Sequence, residues 1–425
     1  MIMLIKRILI RIKSDSFAKG FSFLLSGTMI TQLITLVMAP ILTRLYSPSE
    51  YGINAVYMSL LTIFVVISTL RLQIPIAMSD DENEKKALNR LSLLSSIMFS
   101  LVTLIIVILY SEEIIKIFGL DSTTWLWMLP ISIFLFSLYE IMFQNLLSAS
   151  KYKSMANVTI VKVVTQGIFQ ILLSITIDSY MGLILGNLFS YIISIILISH
   201  FILPIRNNNK LPLKYHWKIL RKNIDFPKYA CPAELTSIAS YSVIPIFITY
   251  IFSSEVTGYY SLANRLIGIP IGLFGNSLRQ VFIREASNEL SQTNSVAKSF
   301  VRTSKILVFI AIPTSLIIFI VSPTFFKLVF GEEWISSGHI VQAIILLFLA
   351  RFIVVPITST ANVIGRQKVG LYFHAFLLTS IILISFVSKI IELNNPIDYL
   401  LILSIVYSSI YFAFYYFLYN MVKKG

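Results

Sequence analysis

The stretch Ala39–Tyr57, APILTRLYSPSEYGINAVY, ends one long apolar segment, turns through polar residues and begins a second apolar segment. Its pattern returns in the second half of the chain at Ile244–Tyr260, IPIFITYIFSSEVTGYY. Pro40 and Pro245 lie 205 positions apart, and the glutamates and glycines that follow them keep this offset to within one residue. An internal repeat of this length predicts two similar halves, an arrangement common among membrane transporters.

The composition indicates a membrane protein. Hydrophobic residues make up 56% of the 425 residues and charged residues 13%, whereas soluble domains carry about 25% charged residues. Many uncharged runs exceed the ~18 residues that a helix needs to cross a bilayer. They lack the alternation of polar and apolar residues that is typical of membrane β-strands. The sequence therefore predicts an all-α integral membrane protein.

The apolar segments predict about twelve transmembrane helices in two lobes of six. The predicted spans are 21–43, 53–78, 91–110, 125–148, 155–177, 181–204, 229–252, 258–282, 305–326, 339–365, 369–391 and 397–422. An N-lobe covers 21–204 and a C-lobe covers 229–425, with a basic linker at 205–228 between them. Residues 1–20 carry basic side chains among Ile and Leu, which predicts an amphipathic surface helix rather than a cleaved signal peptide. Because six is even, the two lobes are parallel in the membrane.

The distribution of lysine and arginine predicts the orientation. With the N-terminus inside, 25 of the 34 basic residues lie in inner segments and 4 lie in outer segments. Because basic loops stay on the cytoplasmic side, both termini are predicted to be cytoplasmic. The same distribution accounts for the net charge of +14 without a nucleic-acid partner.

Charges inside the predicted spans are the candidate functional residues. The basic ones are Arg71, Lys162, Arg265, Arg279 and Arg351, and the acidic ones are Glu140 and Glu234. A basic residue at the centre of a membrane helix costs about 2.5–3.5 kcal/mol on insertion scales, so we expect these side chains to face a water-filled cavity. The positive excess favours an anionic substrate, and the planar fork of arginine suits phosphate.

Several of these residues have a second interpretation. Arg279 lies about one turn from the predicted cytoplasmic surface, where a basic residue also serves as an anchor. Arg71 is close enough to its helix end to extend partly toward that surface. Glu140 is placed to pair with Lys162, whereas Glu234 either pairs with a basic residue or carries a coupling ion.

Prolines inside the spans are candidate hinges. Proline leaves a backbone carbonyl without its usual donor and bends a helix. Pro40 and Pro245 occupy equivalent positions of the repeat, and Pro270 lies in the eighth predicted span. We expect movements of the lobes to be centred on these positions.

The sequence lacks the motifs of several chemistries. It contains no GxxxxGK[ST] loop for a nucleotide and no HExxH motif, and its four histidines do not cluster at the spacing of metal ligands. Its one cysteine, Cys231, cannot form an internal disulfide. We therefore expect no catalytic residue, nucleotide, metal or other cofactor, and we expect the energy for transport to come from the membrane potential or an ion gradient.

Two segments resemble a known family. The run at 20–52, GFSFLLSGTMITQLITLVMAPILTRLYSPSEYG, is similar to the opening of bacterial polysaccharide flippases of the Wzx or O-antigen type. The run at 255–270, EVTGYYSLANRLIGIP, resembles the start of the second half in the same family. This family is the polysaccharide transporter branch of the multidrug, oligosaccharidyl-lipid and polysaccharide exporter superfamily.

The resemblance implies a fold and a substrate. Two six-helix lobes would surround a central cavity lined mainly by spans 1, 2, 7 and 8, where Arg71, Glu234 and Arg265 lie. The implied substrate is an oligosaccharide linked to undecaprenyl diphosphate, such as a repeat unit of O-antigen, capsule or exopolysaccharide. It would pass from the inner to the outer leaflet of the bacterial cytoplasmic membrane by alternating access. Membrane lipids and a polysaccharide polymerase are the candidate partners.

Two other functions remain open at this point. A cation-coupled multidrug or small-solute antiporter would share the fold, but the positive excess of charge within the spans disfavours cationic drugs. A membrane polysaccharide polymerase would share the composition. Such enzymes usually carry catalytic residues in a long outer loop, and the longest predicted outer loop here, 111–124, is short.

Overall fold

The computed structural model describes residues 16–118, 122–177, 179–202, 211–293, 295–366 and 368–423. Within these ranges, twelve helices are long and apolar enough to cross a membrane, which confirms the predicted all-α fold. The surface helix predicted for residues 1–20 falls mostly outside the described residues, and so do residues 205–210 of the predicted linker.

The first half of the chain contains seven helices. They are α1 Ser16–Leu42, α2 Pro48–Thr69, α3 Glu82–Phe118, α4 Thr124–Ser148, α5 Tyr152–Thr176, α6 Met181–Ile202 and the short α7 Leu213–Lys222. The second half contains α8 Cys231–Ile251, α9 Ser254–Pro270, α10 Asn276–Thr293, α11 Ala297–Phe330, α12 Ile335–Val354, α13 Thr360–Val363, α14 Lys368–Ile390 and α15 Pro396–Lys423.

The polar turn quoted first from the sequence begins α2. The backbone N–H of Ser47 donates to the Glu50 carboxylate at 2.8 Å, and the Glu50 N–H lies 3.4 Å from the Ser47 hydroxyl. This is a capping box with proline at the first helical position, Pro48. In the second half, Ser253 caps α9 by accepting a hydrogen bond from the backbone N–H of Val256. Both halves therefore begin this helix with a serine cap.

Three of the predicted spans are interrupted, and each interruption contains a proline or directly follows one. The span predicted at 53–78 ends as α2 at Thr69 and continues as a 3₁₀ turn at Ile74–Ala77, which contains Pro75. α9 ends at Pro270, and a π-helical turn at Ile271–Gly275 leads into α10. The tenth predicted span breaks in the same way, at a 3₁₀ turn over 355–359 that contains Pro356. Prolines inside the spans were predicted to bend them, and at these three positions the regular helix gives way to another geometry.

The other two candidate hinge prolines lie within intact helices. Pro40 falls inside α1 and Pro245 inside α8. Of the three predicted hinges, Pro270 is therefore the one at which the regular helix gives way to another geometry.

The chain divides into two compact units. Unit 1 comprises residues 1–46 and 57–235, and unit 2 comprises residues 47–56 and 236–425. The start of α2 thus packs with the second unit, whereas the rest of α2 packs with the first.

Unit 1 has tightly packed small residues. A Cβ atom added to Gly186 of α6 would come within 2.5 Å of the Gln170 side chain on α5. Gly182, one turn earlier, lies directly against the hydroxyl group of Tyr46. The Tyr46 hydroxyl donates to the Gln170 carbonyl at 2.7 Å, and the Gln170 amide donates to the Leu183 carbonyl at 3.0 Å. The glycines therefore allow α5 and α6 to approach closely.

Unit 2 contains a crossing of the two equivalent helix starts. Gly52 of α2 lies against the backbone carbonyl of Ser254, and Gly258 of α9 lies against the backbone carbonyl of Pro48. The hydroxyl groups of Ser49 and Ser254 are 2.7 Å apart and hydrogen-bonded. The two glycines occupy equivalent positions of the sequence repeat, so the two copies of the repeat contact each other through matching residues.

Candidate substrate-binding charges in the two units

Arg71 lies at the break after α2. Leu70 and Arg71 both have left-handed backbone angles, with φ of 50° and 57°, a conformation that side chains with a Cβ rarely adopt. The break is local because Pro75 cannot donate to the carbonyl of residue 71, and its ring would clash there in a continuing helix. Arg71 is consequently held apart from the regular helix rather than on one of its faces.

The end of α2 is stabilised by polar side chains from other helices of unit 1. The Ser95 hydroxyl donates to the Ser68 carbonyl at 2.7 Å, and the Cys231 thiol lies 3.6 Å from the Val66 carbonyl. The Ser68 hydroxyl is hydrogen-bonded to the Ser137 hydroxyl at 2.6 Å. A helix end buried in a membrane protein needs such partners, because lipid supplies none.

Arg71 forms an ion pair with Glu234 of α8. The guanidinium Nη2 is 3.6 Å from the carboxylate, and the two side chains are 22% and 38% exposed. The distance is longer than a charge-assisted hydrogen bond of about 2.7–2.9 Å. Of the two interpretations of Glu234, the structure therefore agrees with pairing to a basic residue. Both side chains of the pair remain accessible to a ligand.

Lys162 lies among aromatic rings of unit 1. Its ammonium is 4.4 Å from the ring centre of Tyr191, 4.9 Å from that of Tyr139 and 5.6 Å from that of Phe136. Glu140 interacts electrostatically with Lys162, but no carboxylate in the described residues lies within ion-pair distance of the ammonium. The rings take the place of a carboxylate, since the negative face of an aromatic ring attracts a cation.

Glu140 completes a group of four charges in unit 1. It interacts electrostatically with Lys162, Arg71 and Glu234 at distances beyond ion-pair contact. The group contains two basic and two acidic residues, so unit 1 compensates its own charges within the membrane helices.

Arg351 of α12 is a basic residue of unit 2 with no carboxylate partner among the described residues. Its guanidinium carbon lies 4.9 Å from the ring centre of Tyr241, and its Nε atom is buried without a hydrogen-bond partner among the described residues. Tyr260, Tyr407 and Tyr411 also lie in the neighbourhood of the guanidinium. We call Arg351 and these four tyrosines the tyrosine cage.

The tyrosines of the cage are held in place by their own hydrogen bonds. The hydroxyls of Tyr241 and Tyr411 are bonded to each other. The Tyr407 hydroxyl donates to the carbonyl of Ser240 at 2.9 Å and lies 3.1 Å from that of Leu377. The tyrosine side chains are therefore ordered, and the Nε donor of Arg351 beside them is unused.

The two remaining predicted arginines are exposed side chains of unit 2. Arg279 on α10 donates from Nε to the Ser359 hydroxyl at 2.7 Å. Arg265 on α9 is exposed and forms no ion pair or hydrogen bond within the described part of the chain.

The aromatic surroundings of Lys162 and Arg351 were missed by sequence reasoning. The prediction considered carboxylates as the partners of buried bases and did not weigh the 21 tyrosines. A signal was present on α15, where Tyr407 and Tyr411 are four residues apart and therefore on one face of the helix.

The chain matches one family along most of its length. The sequence model of a family described as "Polysaccharide biosynthesis protein" matches residues 41–339. A curated relative is the teichuronic acid biosynthesis protein TuaB of Bacillus subtilis (strain 168), which is 21% identical over 153 residues covering 36% of this chain and 32% of that protein. The match with this relative thus spans about a third of its length.

Solved transporters share the fold. The lipid II flippase MurJ, in an inward closed conformation, aligns with a TM-score of 0.68 and 18% identity over 93% of this chain and 87% of that chain. An inward-facing multidrug resistance transporter of the MATE family, from the MOP superfamily, aligns with a TM-score of 0.70 and 11% identity over 92% of this chain and 95% of that chain. At these identities the likeness establishes the fold alone.

Proposed function

The chain belongs to the polysaccharide biosynthesis protein family and has the fold of MOP-superfamily transporters, and from this premise we propose that it is a flippase for lipid-linked oligosaccharides. Its substrate is an oligosaccharide on undecaprenyl diphosphate, a repeat unit of O-antigen, capsule or exopolysaccharide. The substrate moves from the inner to the outer leaflet of the bacterial cytoplasmic membrane by alternating access. A polysaccharide polymerase that acts on the product is the candidate partner.

The tyrosine cage is the observation that supports this proposal most directly. Arg351 is a half-buried base, its Nε atom is buried, and it has no carboxylate partner among the described residues. A buried charged group without a partner is costly unless a ligand supplies the opposite charge. A diphosphate fits this requirement, because the guanidinium donates two parallel hydrogen bonds to phosphate oxygens. The hydrogen-bonded pair of Tyr241 and Tyr411 keeps one hydroxyl proton to donate, and the tyrosine rings offer flat faces for sugar.

The exposed arginines extend the proposed path. Arg265 has no partner among the described residues, and Arg279 has only a serine hydroxyl. Each is free to exchange water for phosphate oxygens or for acidic groups on a sugar. We assign them the role of successive contacts for the anionic part of the substrate.

The charges of unit 1 have a different proposed role. Arg71 can exchange Glu234 for a phosphate because their separation of 3.6 Å is a weak contact. Glu234 would then be free to take up a proton or a cation, and Glu140 with Lys162 forms a second acidic and basic pair nearby. This exchange would couple substrate movement to an ion gradient, and Pro40, Pro245 and Pro270 are the proposed bending points.

The two carboxylates also favour a second candidate, a cation-coupled antiporter of small solutes. Glu140 and Glu234 lie within membrane helices, where acidic residues commonly mark ion pathways. The two candidates differ in substrate charge: a flippase needs Arg351 for an anion, whereas an antiporter of cations does not.

Flipping in proteoliposomes tests the proposal. A lipid-diphosphate oligosaccharide is exposed to an external glycosidase, and protein-dependent exposure is compared for wild type, Arg351→Gln and Arg302→Gln. We expect Arg351→Gln to lower the rate about 10- to 100-fold, because hydrogen bonds to charged groups contribute about 1.5–3 kcal/mol. Arg302 is the matched control, since it is an exposed arginine of unit 2 in a weak ion pair with Glu285.

Two outcomes contradict the proposal. A normally inserted Arg351→Gln protein that flips at the wild-type rate removes the assigned role of the tyrosine cage. Proton-driven exchange of a cationic solute, with no flipping of any lipid diphosphate, favours the antiporter.

A further inference from the structure

A groove runs along the surface of unit 2 between α11 and α15, with a volume of about 600 Å³. The residues that matter for its chemistry are Lys305, Phe309, Ile312 and Pro313 on α11, and Tyr415 and Tyr419 on α15. None of them belongs to the tyrosine cage, and the proposed transport function leaves the groove without a role.

Unpaired polar groups lie at one end of the groove. Lys305 is exposed and forms no ion pair or hydrogen bond within the described residues. The hydroxyls of Tyr415 and Tyr419 likewise have no hydrogen-bond partner in the part of the chain that the structure describes. The buried Phe300 packs against both tyrosine rings, with ring centres 5.4 and 6.3 Å apart. Three donors are therefore grouped beside one another, and two of them are fixed by packing.

The rest of the groove is apolar. Phe309 is 81% exposed and Ile312 is 46% exposed, and Pro313 lies beyond them on the same helix. From Lys305 to Pro313 the helix rises about 12 Å at 1.5 Å per residue. One leaflet of the hydrocarbon core is about 15 Å thick, so the groove is about as long as the part of an acyl chain within one leaflet.

The polar end of the groove lies at the basic end of its helices. Lys298, Arg302 and Lys305 follow one another on the first turns of α11, and Lys423 ends α15. The opposite end of α11 carries Lys327, which is paired with Glu332 at 2.9 Å. Under the predicted orientation the basic end is cytoplasmic, and the cytoplasmic leaflet carries anionic lipids.

We propose that this groove is a binding site for an anionic phospholipid of the leaflet at the basic end of α11. The headgroup phosphate accepts hydrogen bonds from the Lys305 ammonium and from the Tyr415 and Tyr419 hydroxyls. One acyl chain lies along Phe309 and Ile312. A single lysine matches the single negative charge of a phosphodiester, which favours a phospholipid over a lipid diphosphate. The bound lipid bridges α11 and α15 and stabilises unit 2.

Native mass spectrometry of the full-length protein tests the site. The purified protein is incubated with phosphatidylglycerol or phosphatidylcholine, and the retained lipid is measured on wild type, on Lys305→Gln with Tyr415→Phe and Tyr419→Phe, and on Lys327→Gln. We expect wild type to retain phosphatidylglycerol in preference to phosphatidylcholine. The triple variant should retain about 5- to 10-fold less phosphatidylglycerol than wild type. Lys327→Gln, at the opposite end of the same helix, should retain lipid as wild type does.

A second measurement locates the lipid in the groove. The Phe309→Trp variant adds one fluorophore to the apolar part, and its added fluorescence should be quenched by brominated phosphatidylglycerol and restored by the unlabelled lipid. Equal retention of both phospholipids, or unchanged retention in the triple variant, overturns the proposal. Stronger competition by undecaprenyl phosphate than by phosphatidylglycerol also overturns it, and would assign the groove to the carrier lipid instead.

Discussion

Two glycines permit the crossing of the repeated helix starts. A Cβ atom on Gly52 would overlap the carbonyl group of Ser254, and a Cβ atom on Gly258 would overlap the carbonyl group of Pro48. Both obstacles are backbone atoms, so they cannot rotate away as a side chain would. The glycines were recognised in the sequence as repeat positions, but their role depends on a contact between segments about 200 residues apart.

We predict that Gly52→Ala and Gly258→Ala each destabilise the purified protein. Overpacking typically costs about 1–3 kcal/mol, so the midpoint of thermal unfolding in detergent should fall by several degrees. Gly268→Ala is the matched control, because an added Cβ at Gly268 meets nothing within 4 Å. If Gly52→Ala and Gly268→Ala unfold at the same temperature, the crossing is not a close contact in the protein.

The buried bases show what sequence reasoning reaches at the residue scale. Arg71 and Glu234 were predicted as membrane charges, and pairing of Glu234 with a basic residue was one of two stated interpretations, without Arg71 being named as that residue. The surroundings of Arg351 were not predictable, because Tyr241, Tyr260 and Tyr411 come from three different helices and no local pattern joins them. Hydropathy identifies which charges are buried, whereas their partners depend on packing.

The interruptions show the same limit for whole helices. Residues 271–275 and 355–359 are mostly apolar and stay inside hydropathy-defined spans, although their backbone is a π or 3₁₀ turn. Pro270 and Pro356 were the features of the sequence that indicated these two interruptions. Proline alone does not decide the outcome, because Pro130 lies inside the regular helix α4. The difference comes from the neighbours that satisfy the freed backbone groups.

The short helix α7 is fixed to unit 1 through its polar and apolar groups. The Lys222 ammonium lies 2.7 Å from the Glu84 carboxylate, and the Tyr215 hydroxyl donates to Asp81 at 3.1 Å. Ile219 is buried in a cluster with Ile76 and other apolar residues. Leu213 and Trp217 remain 85% and 56% exposed, which is the pattern of a helix lying at a membrane interface.

We predict that Glu84→Gln loosens α7. Trypsin should cleave after Lys218 and Arg221 several-fold faster in this variant than in wild type, because cleavage needs local opening of the helix. Glu82→Gln is the matched control, since Glu82 pairs only with Lys85 within its own helix. Unchanged cleavage in Glu84→Gln would show that the apolar contact of Ile219 alone holds the helix.

The same pair predicts a pH dependence. The hydrogen bond to Glu84 raises the pKa of Lys222 above its ordinary value of 10.5. A base with a raised pKa contributes stability below its unfolded pKa, and this contribution disappears as the pH rises through the folded value. Protection of α7 from cleavage should therefore persist through neutral pH and weaken in strongly alkaline solution.

For the whole molecule, the number of spans and the repeat could be predicted, because both depend on segment length and periodicity. The span ends agree with the helices to within a few residues in half of the cases, for example 125–148 against α4. The assignment of residues 47–56 to unit 2 could not be predicted, since it depends on the glycine crossing. Hydropathy defines what enters the membrane, and close packing defines which unit a segment belongs to.

The charge bias makes a prediction about the orientation of the whole chain. Asp80 follows α2 on the side with many basic residues, and Asn394 precedes α15 on the side with few; both are exposed. In a Cys231→Ser background, we expect a membrane-impermeant maleimide to label Asn394→Cys in intact cells and Asp80→Cys only after permeabilisation. The positive-inside rule is the physical reason, because basic loops are rarely translocated.

The reverse labelling pattern would change more than the topology. The polar end of the groove between α11 and α15 would then face the outer leaflet, and the basic segments would no longer sit where substrate is loaded. Transport from the inner to the outer leaflet would have to start at the side with 4 basic residues rather than 25. Because an anionic diphosphate is attracted to the basic side before it binds, the predicted labelling pattern is the one that agrees with the proposed direction of transport.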